Sequence, residues 1–483
     1  MLAAHLQGCR SGQTAQEIDD PVKISWLRMP HGGVEREQFT PLRVGFELVE
    51  IGDGPRGVSE RPGGGLRHRC AQRRHRWRGR RACIRACLLP ISIKTPVRLA
   101  DPGITEGPSR KKLSSLSNSD HSAEDTRFMT LAFALGRRGL GRAWPNPAVG
   151  AVIVKDGVVV GRGWTQPGGR PHAETEALRR AGSAASRATL YVTLEPCSHH
   201  GKTGPCVDAI VAAGVARVVS ALVDPNPEVA GAGHWRLAEA GVVVEVGLGA
   251  AEARRAHAGH IRRVAAGRPQ VMLKLAVSAD GKVARSGRRP VEITGEAARS
   301  RVYLMRSRSD AVLTGIGTVL ADDPMLTSRL PGISSPARVV LDSTLRLPLA
   351  SKLLRTARQV PLWVITGEAA ASACQQTLAA HGVDVLRAAT TDGKLDLGNV
   401  LTLLARRGIT RLMVESGPIL AAALLHADLI DEAALFRSRS IIGPDGIEAL
   451  DGLPLSALTQ SPRLKMVDSE MIEADTLEKF ERA

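Results

Sequence analysis

The chain has 483 residues, 43% hydrophobic and 23% charged, which is enough for two or three globular units with real cores at about 150 residues each. Aromatics make up only 3%, which argues against a base-stacking nucleic-acid platform, and no apolar run approaches the ~18 residues of a membrane span. The net charge of +17 is uneven: residues 1–124 carry 21 of the 65 Lys and Arg but 13 of the 48 Asp and Glu, with much of the excess between Arg67 and Arg81.

That leading quarter shows neither helical nor strand periodicity. It reads as a disordered extension, a basic interaction arm, or upstream sequence from a misplaced start. The first or the last is favoured, because a charge run is usually a solvated segment. Cys83 and Cys87 have no further ligands at zinc spacing. No basic stretch followed by a long apolar one opens the chain, so no secretory signal is read. Seven cysteines in this length suit a reducing cytoplasm rather than a disulfide scaffold. The Ser-rich stretch Glu106 to Asp125 reads as linker.

Regular structure is expected from about Asp125. TRFMTLAFALGRRG predicts a helix stopped at Gly136 or Gly139. Two β-branched runs around Lys155-Asp156-Gly157 predict a hairpin. HAETEALRRAG predicts a helix, ATLYVTLEPC a strand, CVDAIVAAG a helix and ARVVSALVD a strand. After a break at Ile261 to Pro269 a second series follows. VMLKLAV and DAVLTGI are strands around the helix EAARSRVYLMRSR, ARVVLD, PLWVIT and TRLMVES are strands, and GPILAAALLHA is a helix. Such alternation predicts mainly parallel sheets with helices on both faces. The division is residues 1–124, then α/β domains at 125–266 and 267–483.

The first domain carries a zinc pattern. His172 opens one predicted helix, Cys197 follows a strand and Cys206 opens the next helix. One imidazole and two thiolates are good zinc ligands and leave a fourth position for water, whose pKa the metal lowers to about 7. Glu174, two residues from His172, can then carry a proton from water to a leaving amine; together these form an H-x-E…P-C deaminase pattern. Eight residues separate the cysteines, where many deaminases have two. Within that insert, His199, His200 and Lys202 suit an anionic substrate such as a phosphate ester. Asn146, between two prolines, offers an amide to a pyrimidine edge.

In the second domain, Gly315-Ile-Gly317 after a strand lets backbone approach a ligand. Glu415 ends a strand and Gly417-Pro418 opens a helix at once, leaving N–H groups suited to a pyrophosphate. Arg306 and Arg329 flank the glycine segment and could clamp a phosphate.

WPNPAVGAVIV, PHAETEAL, TLEPCSHHGKTGPC and DPNPEVAGAG resemble the deaminase half of the bifunctional riboflavin-biosynthesis deaminase/reductase family. KLAVSADGKVA, GIGTVLADDPMLTSR, VVLDST and VESGP resemble its reductase half. The resemblance implies a cytidine-deaminase-like three-layer α/β/α domain followed by a dihydrofolate-reductase-like α/β domain, with Zn2+ and NADPH as cofactors. It implies deamination of a diaminopyrimidinone ribosylamino phosphate, then reduction of its ribosyl group to ribityl. It makes His172, Cys197 and Cys206 zinc ligands, Glu174 the proton carrier, and Asn146, His199 and Lys202 substrate contacts. For NADPH it implies Val277, Thr318, Asp322, Ser343, Gly417, Pro418, Ile419, Leu420, Ala421, Ala422 and Ala423. For the reductase substrate it implies Lys274, Arg306, Leu326, Arg329 and Glu415. Three places depart from the family; in the cysteine insert, Lys202 and Gly204 stand where Arg and Pro are frequent. Thr165 stands where a substrate-contacting histidine is common, and Ser286 to Gly295 replaces a stretch that often holds Trp. The competing reading is a nucleic-acid or nucleoside zinc deaminase with an accessory domain, which leaves the second motif set without a purpose. The partner expected is a small phosphorylated pyrimidine, with no membrane and no nucleic acid; a homo-oligomer stays open.

Overall fold

The turn at Asp156 and Gly157 sets the first sheet. Both residues take positive φ, 49° and 75°, the backbone whose twist suits a two-residue hairpin. In the computed structural model, which describes residues 121–483 apart from 202–203, 228 and 289–290, this turn joins β1 (Gly150–Lys155) to β2 (Val158–Trp164). β3 (Thr189–Val192), β4 (Arg217–Ser220) and β5 (Val243–Val246) complete a sheet of order β2-β1-β3-β4-β5. β1 is antiparallel to both its neighbours, whereas β3, β4 and β5 are parallel. The expectations for residues 1–120 and for Lys202 lie outside the described residues.

The helices of this half are α1 (Ala123–Gly136), α2 (Ala173–Ala181), α3 (Cys206–Ala212), α4 (Ala232–Glu239), α5 (Ala250–Ala256) and α6 (Ala258–Ala266). Alternation along β1 divides the core. Ala151 and Ile153 pack with residues of α2, α3 and α4 on one face. Val152 and Val154 pack with Phe128, Met129 and Phe133 of α1 and Ala253 of α5 on the other. The result is three layers.

α1 begins earlier than the linker reading allows. Ser122 Oγ accepts the Asp125 N–H at 3.0 Å, and the Asp125 carboxylate accepts the Ser122 N–H at 3.1 Å. Asp125 is buried and also accepts from the Tyr191 hydroxyl at 2.7 Å and from Arg217 at 2.8 Å. The Arg217 guanidinium holds its carboxyl far below the usual range. A capping box uses the same Ser and Asp that make a segment look like linker.

The second half contains β6 (Gln270–Val277), β7 (Lys282–Ala284), β8 (Ala311–Gly315), β9 (Ala337–Leu341), β10 (Leu362–Gly367), β11 (Val383–Ala388), β12 (Thr390–Thr391), β13 (Lys394–Leu395), β14 (Arg411–Glu415), β15 (Glu432–Arg437), β16 (Ile447–Glu448), β17 (Leu464–Ile472) and β18 (Asp475–Arg482). Nine of these form a sheet of order β11-β10-β9-β8-β14-β6-β15-β18-β17. It is parallel from β11 through β15; β18 and β17 add an antiparallel hairpin that the sequence pattern does not announce. β17 is an edge strand and mostly exposed, so it shows no apolar face to read.

Its helices are α7 (Glu296–Ser307), α8 (Ile316–Asp322), α9 (Lys352–Arg355), α10 (Ser372–Ala380), α11 (Leu397–Arg406), α12 (Pro418–His426) and α13 (Ser456–Thr459). α11 and α12 cover the face bearing Leu273, Leu313 and Val414. α7, α8, α9 and α10 cover the face bearing Val312, Val340 and Met413. The two halves meet at Trp144, whose ring lies edge-on to Trp363 at 6.4 Å, and at Arg263, which donates to the carbonyls of Ala405 and Pro145. No helix among the described residues is long and apolar enough to cross a membrane.

Candidate active sites

Three elements bring the metal-ligand set together. His172 is the N-cap of α2, Cys197 follows β3, and Cys206 is the first residue of α3. Glycine allows the approach: a Cβ on Gly163 would lie 2.2 Å from the Ala173 carbonyl oxygen, so β2 can lie directly against the start of α2. His172 Nδ1 is 3.3 Å from Cys206 Sγ and 3.5 Å from Cys197 Sγ, and the Cys206 N–H points at Cys197 Sγ at 3.3 Å. The donor atoms all lie within 4.8 Å of one another. One nitrogen and two sulfurs at this spacing fit zinc with a position left open. The hydrogen bond from Cys206 draws the Cys197 thiol down toward thiolate.

Glu174 is buried, 3% exposed, and burial pushes its carboxyl up to about 7. Asn146 Nδ2 donates to the Gly169 carbonyl at 3.1 Å and lies 3.0 Å from His172 Nε2. Its amide nitrogen is therefore committed, and its oxygen is the atom left for a substrate. His199 and His200 are exposed on the insert. Thr165 is buried, its hydroxyl accepting the Val149 N–H at 3.0 Å, so it braces the fold.

Glu195 carries a role the sequence reading misses. Its buried carboxylate accepts N–H groups from Asp224, Gly231 and Gly233 at 2.8–3.0 Å. It thereby ties the DPNPEVAGAG loop to the strand end just before Pro196-Cys197. The only signal was an acid near the end of the predicted strand ATLYVTLEPC, which in the fold lies just past β3.

The second site lies at the C-terminal ends of adjacent β8 and β14, where open α/β sheets bind ligands. Gly315 and Gly417 each cap a helix there, α8 and α12. The expected glycine turn is thus a strand-to-helix junction with Gly317 inside α8. The Gly417 N–H donates to Thr318 Oγ1 at 3.1 Å. A Cβ would meet nothing closer than 3.5 Å at Gly417 or 3.7 Å at Gly315. Ser416 Oγ is buried without a hydrogen-bond partner among the described residues. This open cradle with an unsatisfied hydroxyl fits a dinucleotide phosphate. Pro418, Ile419, Leu420, Ala421, Ala422 and Ala423 continue α12; Ile419 is exposed, whereas Ala421 and Ala422 are buried in the core. Asp322 is exposed at the end of α8. Ser343 follows β9 and is half-buried. Val277 is buried, with its carbonyl taken by Ser438, so its side chain belongs to the core.

Lys274 and Glu415 are register partners on β6 and β14. Burial lowers the Lys274 proton affinity. Arg306 does not present the open phosphate clamp expected of it: Nε and Nη2 grip Glu415, and Nη1 donates to the Thr327 carbonyl. Arg329 is exposed, with Nη1 3.0 Å from the Tyr303 hydroxyl. Both guanidiniums stand over the Tyr303 ring, at 5.6 and 5.2 Å. Leu326 is buried at φ 55°, and Asp323 and Arg329 share that left-handed backbone at 40° and 53°. Three such residues in one short loop mark strain beside the site.

Fold and sites together define a zinc deaminase joined to a dinucleotide-dependent reductase. The cytidine and deoxycytidylate deaminase zinc-binding region matches residues 122–222, and the RibD C-terminal domain matches residues 269–477. The chain is 40% identical over 367 residues to the riboflavin biosynthesis protein RibD of Escherichia coli, covering 73% of this chain and 98% of that one. The Aquifex aeolicus protein of the same name is 38% identical, covering 74% of this chain and 98% of its own. The solved structure of Acinetobacter baumannii RibD superposes with a TM-score of 0.67 at 36% identity, over 74% of this chain and 99% of that one. The chain belongs to the RibD family of riboflavin-biosynthesis proteins. It is a bifunctional deaminase and reductase that uses zinc and NADPH. A deaminase with a merely accessory second domain has no place for the match over residues 269–477.

Proposed function

We propose that residues 125–266 deaminate a diaminopyrimidinone ribosylamino phosphate and that residues 267–483 then reduce its ribosyl group to ribityl with NADPH. The solved Thermotoga maritima relative, 34% identical with a TM-score of 0.65 over 74% of this chain and 99% of its own, is described as a diaminohydroxyphosphoribosylaminopyrimidine deaminase and a 5-amino-6-(5-phosphoribosylamino)uracil reductase. The observation that carries the deaminase roles is the convergence of His172, Cys197 and Cys206 around one point beside a buried Glu174.

His172 Nδ1 and the two sulfurs would hold zinc, and the bound metal would supply the Lewis acidity that makes water a competent nucleophile near neutral pH. Glu174 takes the proton from that water and gives it to the departing amine; a carboxyl that burial holds near neutrality can do both. Asn146, its Nδ2 held by the Gly169 carbonyl, offers Oδ1 to the pyrimidine. His199 and Lys202 attract the phosphate. In the reductase, Thr318, Asp322, Ser343 and the start of α12 at Gly417 would seat NADPH, with Val277, Ala421 and Ala422 in the core. Arg329, the exposed cation, orients the phosphate, while Lys274 and the Arg306–Glu415 pair line the corner for the ribosyl group and Leu326 is buried in the core. The cofactor carries the hydride chemistry; the protein contributes position and electrostatics.

The reading places the enzyme in the cytoplasm, where thiols stay reduced, and allows a homo-oligomer. The test is Glu174→Gln. Deamination should vanish while about one zinc per chain remains, because an amide cannot relay a proton. Reduction of supplied deaminated intermediate should continue. Unchanged deamination overturns the role of Glu174.

A further inference from the structure

A dinucleotide with its pyrophosphate at Gly315 and Gly417 lies along the C-terminal edge of the large sheet, where the strand order is β10-β9-β8-β14-β6. Lys274 of β6 and Glu415 of β14 form the substrate corner on one side of that cradle. The adenosine end is left to the other side, at β9 and β10. NADPH differs from NADH only by a phosphate on the adenosine ribose, so telling them apart calls for a cation there. Most cations of these segments are held elsewhere. Arg387 donates to the carbonyls of Gly367 and Ala370 and to Gln375. Lys352 is tied to Asp323 through its N–H at 2.8 Å and its ammonium at 3.8 Å. Lys394 lies on β13, beyond β11 in the chain.

Arg346 sits in the turn that follows β9. That turn is closely held. The Leu347 N–H donates to Asp342 Oδ2 at 2.9 Å, Leu345 takes φ 58°, and the Ser343 carbonyl accepts the Thr366 hydroxyl of β10 at 3.1 Å. Leu345 and Leu347 are buried while Thr344 and Arg346 are exposed, so the turn faces Arg346 outward on the same loop as Ser343. Asp342 is fully buried at the strand end, and its Oδ1 has no hydrogen-bond partner among the described residues. On its own, that carboxylate would repel a phosphate. Arg346 offsets it: Nε lies 3.6 Å from Oδ1, and the side chain is still 57% exposed. The separation is longer than a hydrogen bond, so the pairing aims the guanidinium without enclosing it. A guanidinium fork matches phosphate oxygens two at a time.

We propose that Arg346 receives the 2′-phosphate of NADPH and so sets the preference for NADPH over NADH, with the Asp342 carboxylate neutralised beneath it. This rests on the reading of Gly315 and Gly417 as the seat of the pyrophosphate. The mark of such a residue is that its loss falls on the phosphorylated dinucleotide alone.

Calorimetric titration of the full chain with NADP+ and with NAD+ tests it without catalysis, and steady-state reduction with NADPH and NADH runs beside it. Arg346→Ala should weaken NADP+ about tenfold or more, as loss of a charge-assisted contact predicts. NAD+ binding should not weaken, and kcat at saturating NADPH should hold. Arg346→Lys should recover part of the loss, since it keeps the charge but not the fork. Lys394→Ala should leave both titrations unchanged. Unchanged NADP+ affinity in Arg346→Ala overturns the proposal. So does an equal loss on both dinucleotides, which makes Arg346 a brace for the loop, or an equal loss of NADP+ in Lys394→Ala, which moves the phosphate elsewhere. Gly417→Asp separates this proposal from the reading beneath it. That variant should weaken both dinucleotides, and if it weakens neither, the reading of the seat fails. A failure at Arg346 with that control intact counts against Arg346 alone.

Discussion

Arg306 meets Glu415 fork to fork, with Nε 2.5 Å from Oε1 and Nη2 2.9 Å from Oε2, and the two side chains are only 11% and 12% exposed. The pair joins α7 to the end of β14 and faces Lys274, so two cations and one anion share a desolvated corner. Breaking such a pair leaves a buried charge uncompensated, which costs about 3 kcal/mol. Arg306→Ala should lower the unfolding free energy by about that much and suppress reduction. The double variant Arg306→Met with Glu415→Leu should regain most of the stability without regaining reduction. Denaturant melts and a reductase assay on both decide it; a double variant with restored activity would show that the pair serves only folding.

The cofactor turn allows a sharper substitution. Gly417 sits at φ −72° and ψ 174°, backbone that any residue adopts, and a Cβ there meets only Thr318 Oγ1 at 3.5 Å. Aspartate is also a good N-cap. Gly417→Asp should therefore fold as well as the native chain while placing a negative charge where pyrophosphate must sit. We expect KM for NADPH to rise about tenfold or more, equivalent to about 1.4 kcal/mol. Arg329→Ala should weaken mainly the phosphorylated reductase substrate. Steady-state kinetics with NADPH and substrate varied separately check both, and an unchanged NADPH dependence in folded Gly417→Asp removes the cofactor from this turn.

Much of this was legible because the chemistry sits at element boundaries, where residue type and local structure speak together. His172 and Cys206 open helices and Cys197 follows a strand, so their spacing along the chain anticipates their meeting. Asp156-Gly157 announces its own turn. The pairing of Arg306 with Glu415 could not be read this way, since 109 positions separate the two. Glu195 and Tyr303 act as hubs through contacts that only the fold supplies. β17 and β18 stay hidden because their charged residues give no apolar alternation to count.

The first helix predicts where the chain can be shortened. Ser122 caps α1, and Asp125 anchors Tyr191 and Arg217. A chain starting at His121 keeps these contacts and should retain both activities. A chain starting at Thr126 loses the cap, a cost of about 1 kcal/mol, and also leaves Tyr191 and Arg217 without their buried acid. Its melting temperature should fall clearly below that of the longer chain, and deamination should fade first, because α1 packs against β1. Equal melting temperatures would show that the Ser122–Asp125 box adds nothing.

His257 predicts an acid limit on stability. It stands between α5 and α6, 2% exposed, with Nε2 3.0 Å from the Thr193 carbonyl oxygen. A carbonyl only accepts, so Nε2 carries the hydrogen and donates it. Nδ1 is then a bare acceptor, buried without a hydrogen-bond partner among the described residues. Burial pushes the ring's pKa down to about 4; His260 and Arg411 push the same way, while the Thr193 bond and Asp224 oppose them. The folded chain thus refuses a proton that the unfolded chain accepts near pH 6.5. The neutral ring's contribution is complete above about pH 6.5 and is lost as pH falls toward 4. A downward shift of this size corresponds to about 3 kcal/mol at the acid end of the window. His257→Gln can still donate to Thr193 but cannot titrate. The difference in unfolding free energy between native and variant chains should therefore shrink steadily, or change sign, from pH 7 to pH 4.5. Parallel slopes for the two chains across that range would show that His257 takes up its proton without cost in the folded state.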